Sequence, residues 1–214
     1  MRVKICGLTR LEDVNAAMSA GADALGFVVD SPTSPRNLGF SKAKRLMKAS
    51  SVFSTTVAVT STRDPKRMLK ICNELRPAAL QLHYHNAYFA GMIRKEAPST
   101  KLILATQIRD KSSVKSAKRS SHYSDAILAD SPSLTGMGGT GRVNDWQLAA
   151  KIRSAIAPHP LILAGGLTAK NVKVAIKRVK PFAVDVSSGV ERSAGLKDHG
   201  KIREFIMNAK ETEI

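Results

Sequence analysis

Eight short apolar runs, each followed by a longer amphipathic run, are the feature of this sequence that most restricts its fold. The apolar runs have strand length and are rich in Val, Ile, Leu and Ala, whereas the runs between them repeat their apolar residues at helical spacing. The predicted strands lie at residues 2–6, 23–29, 53–60, 78–83, 101–108, 125–130, 160–165 and 182–188. Strands that are apolar on both faces and alternate with helices indicate a parallel sheet with crossover helices.

The helices predicted after these strands complete eight strand-then-helix units. They lie at residues 11–21, 40–49, 64–75, 86–97, 111–120, 144–156, 168–179 and 197–210. Eight units within 214 residues indicate a single α/β domain that spans residues 1–214. They favour a (β/α)₈ TIM barrel rather than an open doubly wound sheet. This chain length lies near the short end of the range for such barrels.

The charge of the chain indicates a class of partner but no reaction. Lys and Arg number 34 against 17 Asp and Glu, which gives a formal net charge of +17. Such a charge favours nucleic acid, anionic surfaces or phosphorylated substrates. The basic residues are scattered through helical segments such as SKAKRLMK and DPKRMLK, with few aromatic residues among them. We therefore expect solvated helix faces and no nucleic-acid partner.

The N-terminus and the cysteines indicate the compartment. MRVKICGLTR leads to Glu12 without the apolar core of a signal peptide, and no apolar run has the length of a membrane helix. Cys6 and Cys72 are too few for a disulfide scaffold and have no zinc-site spacing. These features predict a cytoplasmic protein with no membrane partner.

In a (β/α)₈ barrel the working residues lie at the C-terminal ends of the strands. Cys6 closes the first predicted strand, Asp130 closes the sixth and Asp185 lies late in the eighth, whereas Asp23 and Asp125 open their strands. Cys6 and Asp130 are therefore candidates for chemistry, and Asp185 is a candidate for the site. The two strand-opening aspartates are expected to be caps or groups of the opposite barrel end.

Each candidate also has a structural interpretation. A cysteine at the end of an apolar strand is often a small buried hydrophobe, although Lys4 shares its strand face and a nearby ammonium favours the thiolate. Asp130 precedes Ser-Pro and could form a turn. Arg36 follows the second strand and could bind a substrate carboxylate or remain solvated.

Glycine-rich junctions follow the sixth, seventh and eighth strands. They contain GGTG with Gly139 and Gly141, AGG with Gly165 and Gly166, and SSG with Ser187, Ser188 and Gly189. Loops at this end of a barrel expose backbone N–H groups that bind phosphate. The three junctions favour a phosphorylated small molecule. His83 and His85 form an H-x-H pair after the fourth strand, but the sequence shows no third metal ligand nearby, so no metal site is predicted.

With these motifs in place, the sequence resembles the phosphoribosylanthranilate isomerases of tryptophan biosynthesis. The matching segments appear in family order from residue 3 to about residue 206. They include KICGLTR, LEDVNAAMSAGADALGFVV, SPR, LQLH, AGGLTAKNV and PFAVDVSSGVE. The resemblance implies a cofactor-independent Amadori rearrangement, in which the phosphoribosyl furanose opens and the aminoaldose becomes an aminoketose.

The resemblance also implies a role for each candidate. Cys6 corresponds to the general base that removes the proton from ribose C2, and Asp130 to the general acid that protonates the ring oxygen. Arg36 corresponds to the group that binds the anthranilate carboxylate. Asp185 is expected near the substrate without a proton-transfer role. The glycine and serine residues of the three junctions correspond to the phosphate site.

Two other classes of function remain as alternatives. A histidine-pathway isomerase performs the same type of rearrangement, but an Asp would be expected where this sequence has Cys6. A nucleic-acid-binding protein would need its basic residues on one face. The sequence is compatible with either a monomer or a homodimer.

Overall fold

The computed structural model describes residues 1–130 and 145–213, and the eight parallel strands found there form a closed barrel in chain order. Each strand pairs with the next, and the last pairs with the first. The (β/α)₈ barrel predicted from the sequence is therefore confirmed. The strands are β1 (Arg2–Ile5), β2 (Ala24–Val28), β3 (Thr55–Thr60), β4 (Ala79–Leu82), β5 (Lys101–Gln107), β6 (Ala126–Asp130), β7 (Leu161–Leu163) and β8 (Ala183–Val186).

Eight α-helices cover the outside of the barrel within the same described ranges. Several begin at a side chain that satisfies free backbone N–H groups: Asp64, Asn86, Asp145 and Asp198 each accept such a bond. Among these helices none is long and apolar enough to cross a membrane. The helices are α1 (Leu11–Ser19), α2 (Phe40–Lys48), α3 (Pro65–Leu75), α4 (Ala87–Glu96), α5 (Ser112–Ser121), α6 (Trp146–Ile156), α7 (Val172–Val179) and α8 (His199–Lys210).

The buried apolar residues form two layers. The larger layer lies between the strands and the helices and includes Ile5, Phe27 and Phe205. The smaller layer fills the barrel interior with compact side chains such as Val57 and Leu128. The strand period of two separates the layers, so alternate residues of each strand point inward.

The basic residues of the helices lie on their solvated faces. In α2 the four cationic side chains are exposed, while Ala43, Leu46 and Met47 are buried against the barrel. The same holds in α5, where the buried residues are Ser113, Ala117 and Ser120. The basic segments thus match the expected solvated helix faces.

The strands are shorter than the apolar runs that predict them. Phe53, which was expected to start β3, is 93% exposed in a turn closed by a bond from Ser54 N to Ser51 O. A local turn satisfies these backbone groups, so the strand begins only at Thr55. The chain after β8 is also more ordered than predicted. It forms a short 3₁₀ turn (Ser188–Val190) and an antiparallel pair, β9 (Glu191–Ser193) and β10 (Leu196–Lys197).

The two strand-opening aspartates lie at the opposite end of the barrel from the strand C-termini. The Asp23 carboxylate accepts a bond of 2.8 Å from the Val3 amide, and the Asp125 carboxylate accepts one of 2.8 Å from the Leu102 amide. Each therefore caps the first residues of a neighbouring strand, as expected from its position in the sequence.

Candidate active site

A cleft opens at the C-terminal ends of the strands, and it encloses about 670 Å³ of empty space, part of it open to solvent. Its position at this end of the barrel is where (β/α)₈ proteins bind small molecules. Nine of the residues predicted from the sequence line the cleft: Cys6, Arg36, Asp130, Gly165, Gly166, Asp185, Ser187, Ser188 and Gly189. Gly139 and Gly141 lie outside the described residues. The structure thus brings the nine together, and their individual roles stay predictions.

Cys6 lies directly after β1 and is held by a bond of 2.8 Å from its amide to the Val186 carbonyl. Its side chain is buried in the barrel interior. Gly26 of the neighbouring strand makes room for it, because a Cβ at that position would lie 2.8 Å from the sulfur. The thiol therefore occupies space that the sequence of β2 leaves free.

Lys4 points into the barrel two residues before Cys6 and forms a buried ion pair with Asp185. Lys4 Nζ lies 2.9 Å from Asp185 Oδ1, and the two residues are opposite each other in the β1–β8 register. Burial opposes the charge of Lys4, but the interactions with Asp185 and Cys6 together outweigh it and raise the pKa of the ammonium. Burial raises the pKa of the Cys6 thiol, against the opposing attraction of Lys4.

Arg36 lies at the rim of the cleft in a second buried charge cluster. Its Nε and Nη2 donate to Glu191 at 2.8 and 2.6 Å, and Lys197 Nζ donates to the same carboxylate at 2.9 Å. Burial raises the pKa of Glu191, but bonds to Arg36 and attraction to Lys197 outweigh it, so the pKa is lowered and the carboxylate is charged. These bonds use the Nε edge of Arg36, so its Nη1 groups point away from Glu191.

Gly7 allows Arg36 to approach the barrel closely. Its backbone has a φ of +73°, and a Cβ there would lie 2.4 Å from Arg36 Cδ and 2.9 Å from Ser187 Oγ. Glycine suits this position because it adopts positive φ without a steric penalty. The Cys-Gly dipeptide thus places the thiol and makes space for the guanidinium.

Asp130 ends β6 and is 7% exposed at the cleft. Its backbone carbonyl accepts a bond of 2.8 Å from the Ile108 amide, which holds the end of β6 against β5. In the closed barrel β7 and β8 separate β6 from β1. Cys6 and Asp130 therefore approach the cleft from different sides.

The turns after β7 and β8 meet at one side of the cleft. Gly165 and Gly166 have φ of +85° and +65°. The side-chain amide of Asn171 (Nδ2) donates to the Gly166 carbonyl at 2.9 Å. A Cβ on Gly189 would lie only 1.9 Å from the Leu167 carbonyl oxygen. The two glycine-rich turns therefore pack backbone against backbone, a geometry suited to anion binding by N–H groups.

The sequence analysis did not select several polar residues of the site. Gln81 is 2% exposed and faces the cleft beside His83, with 3.3 Å between Gln81 Nε2 and His83 Nε2. The buried Gln81 Oε1 has no hydrogen-bond partner within the described part of the protein. Burial, with Lys4 and His85 nearby, lowers the pKa of His83 to about 4 and keeps its ring neutral. A polar residue at an inward position of β4 is the signal that could have found Gln81.

Glu191 was not predicted as a site residue because it lies beyond β8 in a segment with no strong periodicity. Lys197 was expected at the start of the last helix as a solvated charge, but the structure places it in β10. The H-x-H pair, by contrast, separates in the structure: His83 lines the cleft, and His85 Nε2 lies 3.0 Å from the Ala105 carbonyl. Residues 1–130 and 145–213 contain no group of three His, Cys, Asp or Glu side chains placed to hold a metal ion.

Comparisons with known proteins agree on one family. A family model described as N-(5'-phosphoribosyl)anthranilate (PRA) isomerase matches residues 3–208. The N-(5'-phosphoribosyl)anthranilate isomerase of Halorubrum lacusprofundi is 38% identical over 211 residues, which cover 97% of this chain and 96% of that one.

Among the solved structures that are similar over 98% of both chains are two phosphoribosylanthranilate isomerases. One is a phosphoribosyl anthranilate isomerase in complex with reduced 1-(o-carboxyphenylamino)-1-deoxyribulose 5-phosphate, with 36% identity and a TM-score of 0.83. The other shows monomers generated from the dimeric phosphoribosylanthranilate isomerase of Thermotoga maritima, with 34% identity and a TM-score of 0.83.

Proposed function

This chain belongs to the N-(5'-phosphoribosyl)anthranilate isomerase family, and we propose on that premise that Cys6 and Asp130 perform the proton transfers of its reaction. The protein is an isomerase of tryptophan biosynthesis. It converts N-(5-phosphoribosyl)anthranilate to 1-(2-carboxyphenylamino)-1-deoxyribulose 5-phosphate by an Amadori rearrangement. The observation that carries the residue assignment is the placement of a buried thiol and a buried carboxyl on different sides of one cleft.

The reaction needs an acid and a base at different atoms of the sugar. Asp130 donates a proton to the furanose ring oxygen, which opens the ring to a Schiff base. Cys6, as the thiolate, removes the proton from C2, and the resulting enolamine becomes the aminoketose. Two groups of different basicity on opposite sides of the substrate supply these steps without exchanging roles.

The turns after β7 and β8 hold the substrate phosphate in this proposal. Gly165, Gly166, Ser187, Ser188 and Gly189 line the cleft together. We expect backbone N–H groups of these turns to bind the phosphate. A phosphate site in this cleft agrees with the phosphorylated ligand of the similar solved complex. Sulfate soaked into crystals is expected beside Gly166 and Ser188, and an anion found only among the helix-face lysines would contradict the assignment.

Arg36 binds the anthranilate carboxylate. Glu191 already holds its Nε edge, so the substrate is expected on the Nη1 side, where the fork can bond a carboxylate in two places. Asp185 lines the same cleft, and we expect it to lie beside the sugar without a proton-transfer role.

The test is turnover of N-(5-phosphoribosyl)anthranilate, which is made in situ because it is labile. Turnover is measured as the loss of substrate fluorescence. Cys6→Ala should lower turnover by about 10²–10⁴-fold, the usual contribution of a positioned proton transfer. Cys72→Ala is the matched control, because Cys72 is buried in the outer layer on α3. Near wild-type turnover of Cys6→Ala at saturating substrate would show that Cys6 is not the base.

The assembly state and the compartment of the protein belong to the same proposal. The protein acts as a monomer or a homodimer on a phosphorylated small molecule, without nucleic acid or membrane, and sedimentation equilibrium decides between the two assembly states. Cytoplasmic localisation is supported by the free thiols of Cys6 and Cys72, because unpaired cysteines are usual in a reducing compartment. Fluorescence microscopy of a tagged chain tests this localisation.

A further inference from the structure

The barrel interior contains a charge pair that the steps above do not use. Lys4 and Asp185 are 3% and 8% exposed and meet at 2.9 Å between β1 and β8. Charged groups are strongly disfavoured in such surroundings, and apolar residues of similar size generally stabilise a core as well or better. Other inward positions of the barrel carry apolar residues such as Val57 and Ile162. Stability of the fold therefore does not explain why a charged pair occupies these two positions, and a functional role is the better explanation.

The position of the pair relative to the thiol indicates that role. Lys4 and Cys6 share the inward face of the chain at β1, separated by a single residue whose side chain points to the outer layer. We propose that Lys4 is a positioning residue whose ammonium stabilises the thiolate of Cys6, and that Asp185 holds the ammonium in place and limits its effect. This inference rests on the proposed role of Cys6 as the base.

The interactions of the thiol support this division of labour. Burial raises the pKa of the Cys6 thiol, and Lys4 is the strongest of the groups that oppose this rise. Asp185 acts in the opposite direction, because its negative charge repels the thiolate. Without Lys4, the thiol would face both burial and the carboxylate, and its pKa would rise further.

The other charged groups around the thiol are less able to replace Lys4. Arg36 and Lys197 approach from the β2–α2 loop and β10, but they share the single negative charge of Glu191, which offsets part of their positive charge. Lys197 also lowers the pKa of the thiol, but less than Lys4 does. His83, directly after β4, has its pKa lowered to about 4 and is neutral. Asp130 of β6 lies across the cleft. Lys4 is thus the cation placed to act on the sulfur.

The rate of alkylation of Cys6 by iodoacetamide as a function of pH tests the proposal directly. Mass spectrometry of the Cys6 peptide separates its labelling from that of Cys72, and the measurement needs no turnover. The thiolate reacts, so the midpoint of the rate profile reports the thiol pKa. Lys4→Met should raise the midpoint by about 1 to 3 pH units, the usual effect of an adjacent opposite charge.

Two further variants keep the test valid if Lys4→Met folds poorly. Asp185→Asn should lower the midpoint, and the double variant Lys4→Met/Asp185→Asn should fall between wild type and Lys4→Met, because Lys4 affects the thiol more than Asp185 does. Lys42→Met, a change on the exposed face of α2, is the control and should leave the midpoint unchanged. The pH profile of kcat/KM for Lys4→Met should shift in the same direction, so that raising the pH restores turnover.

An unmoved alkylation midpoint in Lys4→Met, or a midpoint that rises in Asp185→Asn, would overturn the role of the pair. A loss of turnover that higher pH does not restore would indicate a merely structural role and would also overturn it. Retained turnover in Cys6→Ala, by contrast, would overturn the base assignment itself. The two failures are therefore distinguishable.

Discussion

Replacing Glu191 by Gln should lower the free energy of unfolding and weaken the binding of the substrate carboxylate. The Glu191 side chain is 5% exposed and bonds two cations, Arg36 at 2.6 Å and Lys197 at 2.9 Å. The cluster carries one net positive charge, and the amide raises this to two without changing the shape of the side chain. Both cations then remain buried without a counter-ion.

The expected size of the effect follows from this burial. Removing one partner of a buried ion pair costs about 3–5 kcal/mol, because the remaining charge is left uncompensated. A chain of this size loses about 2–4 °C of Tm for each kcal/mol, so Tm should fall by roughly 6–20 °C. The KM should rise as well, since Arg36 loses the carboxylate that orients its guanidinium.

The pH dependence of stability provides a second reading of the same contact. The pKa of Glu191 is lowered in the folded protein, so its stabilising contribution is complete above the pKa of the unfolded chain. The contribution is lost as pH falls through the lower, folded-state pKa. Glu191→Gln should therefore lose less stability on acidification than the wild type does.

Thermal unfolding followed by circular dichroism at several pH values, together with steady-state kinetics, measures these effects. The double variant Glu191→Gln/Lys197→Met returns the cluster to one positive charge and should recover part of the Tm. A Tm of Glu191→Gln within about 2 °C of wild type corresponds to a loss of at most about 1 kcal/mol. If the variant also keeps its KM, the cluster is not what orients Arg36.

Four other substitutions test the site. Asp130→Asn should retain the fold and lose most turnover, whereas Asp125→Asn should lower Tm more than turnover because Asp125 caps the start of β5; a well-folded but inactive Asp125→Asn would refute this assignment. Gly26→Ala should lower turnover by at least about 10-fold with a small change in Tm, since its Cβ would displace the Cys6 sulfur, and unchanged kinetics would show that the thiol can move without penalty. Arg36→Met should raise KM by an amount equivalent to about 1.5–3 kcal/mol with a smaller effect on kcat, and an unchanged KM would remove the residue from the substrate carboxylate.

Local patterns in the sequence determined the architecture and the end of the barrel where the site forms. The alternation of apolar strands and amphipathic helices predicts the closed barrel that the structure shows. The strand period of two places Lys4 and Cys6 on one face, and the position within β6 separates Asp130 from Asp125. These inferences succeed because they depend on residues a few positions apart, whose relative directions are set by backbone geometry.

Only the tertiary structure decided which charges meet inside the barrel. Asp185 is 181 residues from Lys4 in sequence, and Glu191 is 155 residues from Arg36. Closure of the sheet brings β8 beside β1 in a definite register, and the turn after β8 then carries Glu191 to the rim. A sequence read by itself contains the charges but not their partners, because the partners depend on barrel closure and on the path of a segment without periodicity. The electrostatics of the thiol and of the arginine are consequently properties of the closed barrel.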